Sequence, residues 1–257
     1  MPDFPLDIEA IERATVAGVS PDSQQEIPGW LLPFDHGTIG RSHSAVPLRH
    51  DSTINPADVV LVAARYRAEG LAPSLRVADV PGLVHLKEAL LAAGLRQTQP
   101  TLTFVASVQD ILAKARTDAR TVAVVTGQPD AEWREVYLGD GFDPVDGAHR
   151  VRALGRASGS VYARSMAAGG SAVVATGVGS FGHGWLGVHG MRTLPAHRGQ
   201  GHASGILHML AGAAQERGFL WAYLQVEEAN SGAIRVYEKL GFQLGWRYHY
   251  WRAIPTR

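Results

Sequence analysis

The sequence predicts an α/β protein, an α+β arrangement of mostly antiparallel mixed sheets flanked by helices. Two observations predict it. The C-terminal half orders its elements as strand, two helices, three strands, helix, strand, helix, strand, the order of a mixed sheet with helices packed on it. A helix–glycine–strand–helix–glycine–strand series also occurs twice in the 257 residues.

The first series reads as a helix over 55–69 closed by Gly70, a strand around 75–77, a helix over 83–93 closed by Gly94, and an alternating strand over 97–107. The second reads as a helix over 202–217 closed by Gly218, a strand over 220–226, a helix over 231–240 closed by Gly241, and a strand over 242–253. Ile206, Leu207, Leu210, Ala213 and Ala214 mark one face of the longer helix. "LAPSLRVAD" aligns with "LWAYLQVEE" and "EALLAAGL" with "YEKLGF", at nearly equal offsets. Such self-similarity points to two copies of one α/β unit, against the plain alternative that helix–glycine–strand is common. The boundary falls near 108–120, giving an N-terminal unit over 1–112 and a C-terminal unit over 120–257. Between the two series, "TVAVV" (121–125) reads as a strand. "AEWREVYLG" and "GAHRVRALGRA" read as short helices, and 160–194 as three strands with glycine turns, "SFGHGW" being a hairpin.

Composition narrows the function classes. The chain is 46% hydrophobic and 19% charged, with 24 basic against 24 acidic residues, so no general electrostatic grip on nucleic acid or anionic lipid is expected. With no cysteine, disulfides, thiolate metal sites and a cysteine nucleophile are excluded. The eleven histidines include no HExxH, and His36, His43 and His50 share a spacing of seven with no helix to connect them, so no metal site is expected. The first residues carry no basic and apolar leader pattern, and no apolar run spans a membrane, so a cytoplasmic protein is expected.

The chemistry centres on residues 191–218, "MRTLPAHRGQGHASGILHMLAGAAQERG". A strand ends near Thr193, Pro195 stops it, and Arg198-Gly199-Gln200-Gly201-His202-Ala203 leads into a helix. The first N–H groups of a helix have no internal partner, and with the helix dipole they attract a pyrophosphate. The Arg-x-x-Gly-x-Ala spacing also occurs at Arg67 and Arg152, where it closes a helix and meets the wrong end of the dipole. Only Arg198 follows a strand and opens a helix.

This segment resembles the acetyl-CoA-binding motif of the GNAT superfamily of N-acetyltransferases. The likeness continues through "LQVEEANSGAIRVYEKLGF" (224–242) and covers about 120–253. The whole chain resembles the tandem-GNAT, mycothiol-synthase-like arrangement of two GNAT-like units, with a degenerate N-terminal one, since "LRHDSTINPADVV" (48–60) lacks the glycine pattern. The resemblance implies acetyl-CoA as co-substrate, no metal, and a small-molecule primary amine as acceptor. Nucleic acid or membrane partners are not expected, and the oligomeric state is left open.

The resemblance also implies roles for residues. Arg198, Gly199, Gln200, Gly201, His202 and Ala203 would hold the pyrophosphate, against the alternative of a helix N-terminal turn. Met191, Arg192 and Thr193 would lie on the strand that pairs with the pantetheine arm, against ordinary sheet pairing. Asn230 would touch the cofactor, cap its helix, or both. Tyr237 would be the general acid that protonates the leaving thiolate, against a core tyrosine. The family's basic Glu would fall near Gly187, which has no side chain. His189, two residues on and facing the same side, takes its place as the first choice of base, with Glu227, Glu228 and a water chain as alternatives. Trp133, Tyr137 and Glu227 are substrate-contact candidates, while Trp30, Trp221, Trp246 and Trp251 read as core or pocket wall. Direct transfer in a ternary complex is expected, because no cysteine can carry the acyl group. The competing functions are a catalytically silent CoA-binding regulator and an acyltransferase acting on a protein lysine or N-terminus.

Overall fold

A computed structural model of the chain describes residues 6–115, 122–139, 141–170 and 172–253. The first segment holds a helix α1 (Ile8–Val19) and a small antiparallel sheet of β1 (Ser23–Ile27), β2 (Trp30–Phe34) and β3 (Val46–Pro47). A 3-10 turn (Gly40–His43) joins β2 to β3. Asp7 caps α1 by accepting from the Ala10 N–H at 3.0 Å. Then follow α2 (Asp58–Ala68), β4 (Ser74–Ala78), α3 (Leu86–Ala92), β5 (Leu95–Ser107) and α4 (Val108–Lys114).

The C-terminal half contributes β6 (Val122–Thr126), α5 (Ala131–Leu138), α6 (Pro144–Arg156), β7 (Val161–Met166), β8 (Val173–Gly182), β9 (Trp185–Thr193), α7 (His202–Glu216), β10 (Trp221–Glu227), α8 (Ser231–Lys239) and β11 (Gln243–Ala253). The mixed α/β class and the element order in this half match the expectation. Helix α6 opens three residues earlier than expected because Asp143 accepts from the Val145 and Asp146 N–H groups and Pro144 takes the first helical position. The β8–β9 turn is made by His183 (φ 51°) and Gly184 (φ 81°), both left-handed, as a two-residue hairpin demands. Helix α1, the small sheet and α4 add elements that sequence patterning did not reveal.

Both halves feed one eight-stranded sheet in the order β4-β11-β5-β10-β9-β8-β7-β6. Strand β5, from the first half, lies between β10 and β11 of the second. Exchanging β4 with β10 and β5 with β11 leaves the order β4-β11-β5-β10 unchanged. All neighbours are antiparallel except β9 and β10, which are joined through α7.

The two faces of the sheet are covered by separate clusters. On β10, Ala222, Leu224 and Val226 pack with Ile206, Leu207 and Leu210 of α7, while Tyr223 points to the opposite cluster with Trp30, Tyr66 and Trp185. This is the period-two alternation of a strand buried on both sides. A third cluster seats α5 and α6 on β7 and β8 through Trp133, Tyr137, Leu154, Tyr162 and Val178. Trp30, Trp246 and Trp251 are core residues. No helix among the described residues is long and apolar enough to cross a membrane.

Candidate active site

The site begins where two strands part. β9 and β10 pair from Trp221 opposite Trp185 to Leu224 opposite Val188, and no further. Both strands run on, β9 to Thr193 and β10 to Glu227. The cause lies at Gly190. Opposite β8, the register slips between Val178–His189 and Thr176–Arg192, so β9 carries one extra residue. Such a bulge bends its strand. Gly190 has φ 57°, and a Cβ there would collide with the Tyr137 hydroxyl and Leu154. The Tyr137 hydroxyl donates to the Gly190 carbonyl and pins the bulge, and burial pushes its pKa up. Tyr137 is thus placed beside the cleft as a buried support of β9.

The parted strands enclose a cleft of about 410 Å³, walled by Val188, Met191, Leu224, Gln225, Val226 and Tyr237. Beyond Val188, the β9 edge that faces β10 has no strand partner, so the backbone of Met191 to Thr193 borders the gap. The Arg192 side chain leaves it for the helices. It pairs with Asp146 at 2.8 Å, donates to the Tyr137 carbonyl at 3.2 Å, and lies over the Tyr137 and Phe142 rings at 4.4 and 4.3 Å.

One end of β9 leads through a 3-10 turn (Pro195–His197) to α7. Gly199 (φ 75°) and Gly201 (φ 86°) are both left-handed, a conformation that costs glycine nothing. No side chain caps α7, so its first N–H groups and the dipole of a 15-residue helix face outward. Arg198 and Gln200 are exposed and, among the described residues, bond only local carbonyls, Thr193 and Ala196, at 3.3 Å. The His202 ring is turned inward: buried, with Nδ1 2.8 Å from Ser165 Oγ, it anchors the helix start to β7. Only its backbone can face an anion.

Helix α8 closes the other wall. Asn230 Oδ1 accepts from the Ala233 N–H at 3.2 Å, so this residue caps the helix while lining the cleft. The Tyr237 ring stacks edge-on to Phe242 at 5.9 Å and is 8% exposed. No group among the described residues bonds its hydroxyl. Burial pushes its pKa up to about 12, so the phenol is protonated throughout the neutral range.

Three polar groups converge where the family's Glu was expected. A Cβ on Gly187 would lie 2.5 Å from Tyr223 Oη, 2.6 Å from His189 Nε2 and 2.7 Å from Ser180 Oγ. Gly187→Ala is therefore expected to destabilise the fold by roughly 1–3 kcal/mol through overpacking, read as a lower denaturant midpoint. His189 is 3% exposed, with Nε2 2.8 Å from Ser180 Oγ. Burial, then the nearby Arg41 charge, pushes its pKa down to about 3. A ring that binds a proton so weakly is a poor general base at neutral pH, which moves the weight to Glu227. Glu227 lies exposed on the cleft wall and accepts from Gln99 Nε2 at 2.8 Å. Glu228 is instead paired with Arg247 at 2.6 Å. Trp133, a proposed substrate contact, is fully buried, and its Nε1 donates to the Ala163 carbonyl at 3.2 Å. It is a core residue on the buried face of α5.

Sequence reasoning missed Arg41 and Arg150, which also reach the cleft. Arg41 comes from the 3-10 turn between β2 and β3, a segment without periodicity. Among the described residues, no group of three or more His, Asp or Glu side chains is placed to hold a metal ion.

Comparison with known proteins fits this geometry. The family described as "Probable histone acetyltransferase Rv0428c C-terminal" matches residues 6–251. Among solved structures, the chain is similar to a GCN5-related N-acetyltransferase from Kribbella flavida, with 20% identity over 97% of this chain and 96% of that one, at a TM-score of 0.72. A functionally unknown conserved protein from Staphylococcus epidermidis ATCC 12228 shares 12% identity over 92% and 96%, at 0.65. A tandem GNAT protein from the clavulanic acid biosynthesis pathway shares 12% over 97% and 96%, at 0.61. At these identities the likeness is one of fold. No curated protein sequence matches the chain.

Proposed function

Because the chain belongs to the Rv0428c C-terminal family, within the GNAT acetyltransferase superfamily, we propose that it is an acetyl-CoA-dependent N-acetyltransferase acting on a primary amine of a small molecule. The observation that carries this reading is the parting of β9 from β10 into a cleft lined by Tyr237, with β9 leading on through a 3-10 turn to the uncapped start of α7.

Bound acetyl-CoA supplies an acyl group on a thiolate leaving group. The N–H groups at 200–203 hold its pyrophosphate, with Arg198 adding charge from the exposed side. The free β9 edge at Met191 to Thr193 receives the pantetheine arm as a strand would be received. Glu227 holds the acceptor ammonium and takes its proton, directly or through water. Tyr237 gives its proton to the departing sulfur. The N-terminal unit walls the acceptor side, and the cofactor loop belongs to the C-terminal unit alone.

The chain has no cysteine to carry the acetyl group, so direct transfer is expected. Initial rates of CoA release with both substrates varied should give intersecting reciprocal plots. Parallel plots would contradict the ternary complex. The pH profile follows from Tyr237. An acid whose pKa is raised to about 12 loses its proton only above that pH. The rate should therefore rise as the amine deprotonates and show no alkaline fall up to about pH 9.5. A fall beginning near pH 8 would assign the acid to another group.

A further inference from the structure

The cleft opens into a second cavity of about 260 Å³. Arg41, Arg150, Gln225 and Glu227 border both. The second cavity is walled by β5, β11 and the 3-10 turn before β3. In the sheet, β5 and β11 lie on the far side of β10 from β9, whose end leads to the α7 loop. An acceptor entering here would meet the cleft opposite the phosphate end.

The charges around this cavity do not balance. Arg150 pairs with Asp146 at 2.7 Å, a carboxylate it shares with Arg192. Arg41 has no carboxylate partner among the described residues and bonds only the Gln225 carboxamide oxygen, at 3.4 Å. Among the described residues, Arg252 bonds only Ser74 Oγ at 3.3 Å and Gln99 Oε1 at 3.4 Å, and lies 4.3 Å over the Tyr250 ring. Against these two guanidiniums the cavity has one carboxylate, Glu227. Arg41 is half-buried, so its charge has lost part of its hydration without gaining a carboxylate in contact among the described residues. Gln225 and Glu227 alternate onto the same face of β10, about 7 Å apart along the strand. A cation and an anion binder are thus held side by side at the mouth of the cleft.

We infer that the acceptor is a small zwitterion, an amine that also carries a carboxylate, with its amine at Glu227 and its carboxylate on Arg41. This rests on the acetyltransferase reading above and names its substrate class. Fork geometry suits a guanidinium to a carboxylate, and the surplus positive charge repels the flanks of a lysine-rich peptide.

The test compares α- and ω-amino acids with their carboxamides, and with a lysine-rich peptide, on the wild-type chain, Arg41→Ala and Arg41→Lys. Two readouts are taken: CoA release, and calorimetric binding of each compound in the presence of CoA. The free acids should exceed their amides by about 10-fold or more in kcat/KM or in affinity. That gap should shrink to within about threefold in Arg41→Ala and partly return in Arg41→Lys, through the acceptor KM, with the acetyl-CoA KM unchanged. The inference is overturned if amides match acids, if the peptide is the best acceptor, if the gap survives Arg41→Ala, or if no compound of the panel binds or reacts. Failure of the wild-type chain to bind acetyl-CoA would overturn the acetyltransferase reading as well, which separates the two failures.

Discussion

Tyr237→Phe is expected to lower kcat by about 10²–10³-fold while leaving acetyl-CoA affinity within about threefold. The substitution removes one oxygen. The ring keeps its contact with Phe242 and its place in the cluster that seats α8 on the sheet. Since no group among the described residues bonds the hydroxyl, its loss breaks no internal bond, and stability should change by no more than about 1 kcal/mol. What disappears is the proton available to the leaving sulfur. A core tyrosine with no catalytic part would give the opposite pattern, with turnover unchanged. CoA release and thermal unfolding on one preparation distinguish the two.

The largest effect on stability is expected at a pair far from any motif. Glu12 of α1 and Arg76 of β4 are each 1% exposed and bonded at 2.6 Å. Burial pushes the Glu12 carboxyl up while Arg76 pulls it down. Among the described residues, the Nε and Nη2 atoms of Arg76 have no hydrogen-bond partner, and Glu12 is the one carboxylate that meets this cation. Glu12→Ala leaves it buried and uncompensated, at a cost of roughly 3–5 kcal/mol in urea unfolding. Glu12→Leu combined with Arg76→Met removes both charges and should recover most of that loss. A cost below about 1 kcal/mol for Glu12→Ala would mean that water reaches the pair.

The same helix shows why part of the fold was illegible. The buried face of α1 includes Glu12, Thr15 and Gly18 beside Ile11, Val16 and Val19, so its apolar period is broken by the polar residues that serve the interior. Strand β1, Ser-Gln-Gln-Glu-Ile, is largely exposed and shows no alternation, and β2 is buried throughout and contains Pro33. The second half was legible because Gly218 and Gly241, both left-handed, end their helices cleanly. The insertion of β5 between β10 and β11 could not be read, since strand partners are chosen by packing between distant segments.

The site divides along the same line. The α7 loop announces itself because its glycines must be left-handed and must follow a strand. The bulge at Gly190 leaves no comparable mark: its glycine is required by Tyr137, which is 53 residues away in sequence. His189 satisfied parity and intrinsic pKa, but burial removes its basicity, a quantity set by its surroundings. Trp133 and Tyr137 lie on one helix with equal apolar character, yet only Tyr137 reaches the cleft. Arg41 carries no local signal and becomes visible only when the 3-10 turn is folded against β10.

The most direct test of the central claim, that residues 198–203 hold acetyl-CoA, is a calorimetric titration of the wild-type chain beside an Arg198→Glu/Gly201→Glu variant. The variant sets carboxylates against the phosphates and a side chain where φ is 86°. Micromolar binding to the wild-type chain, weakened by about 10²-fold or more in a variant that keeps its thermal transition, is the predicted result. Equal binding by the two proteins, or none by the wild-type chain, would contradict it.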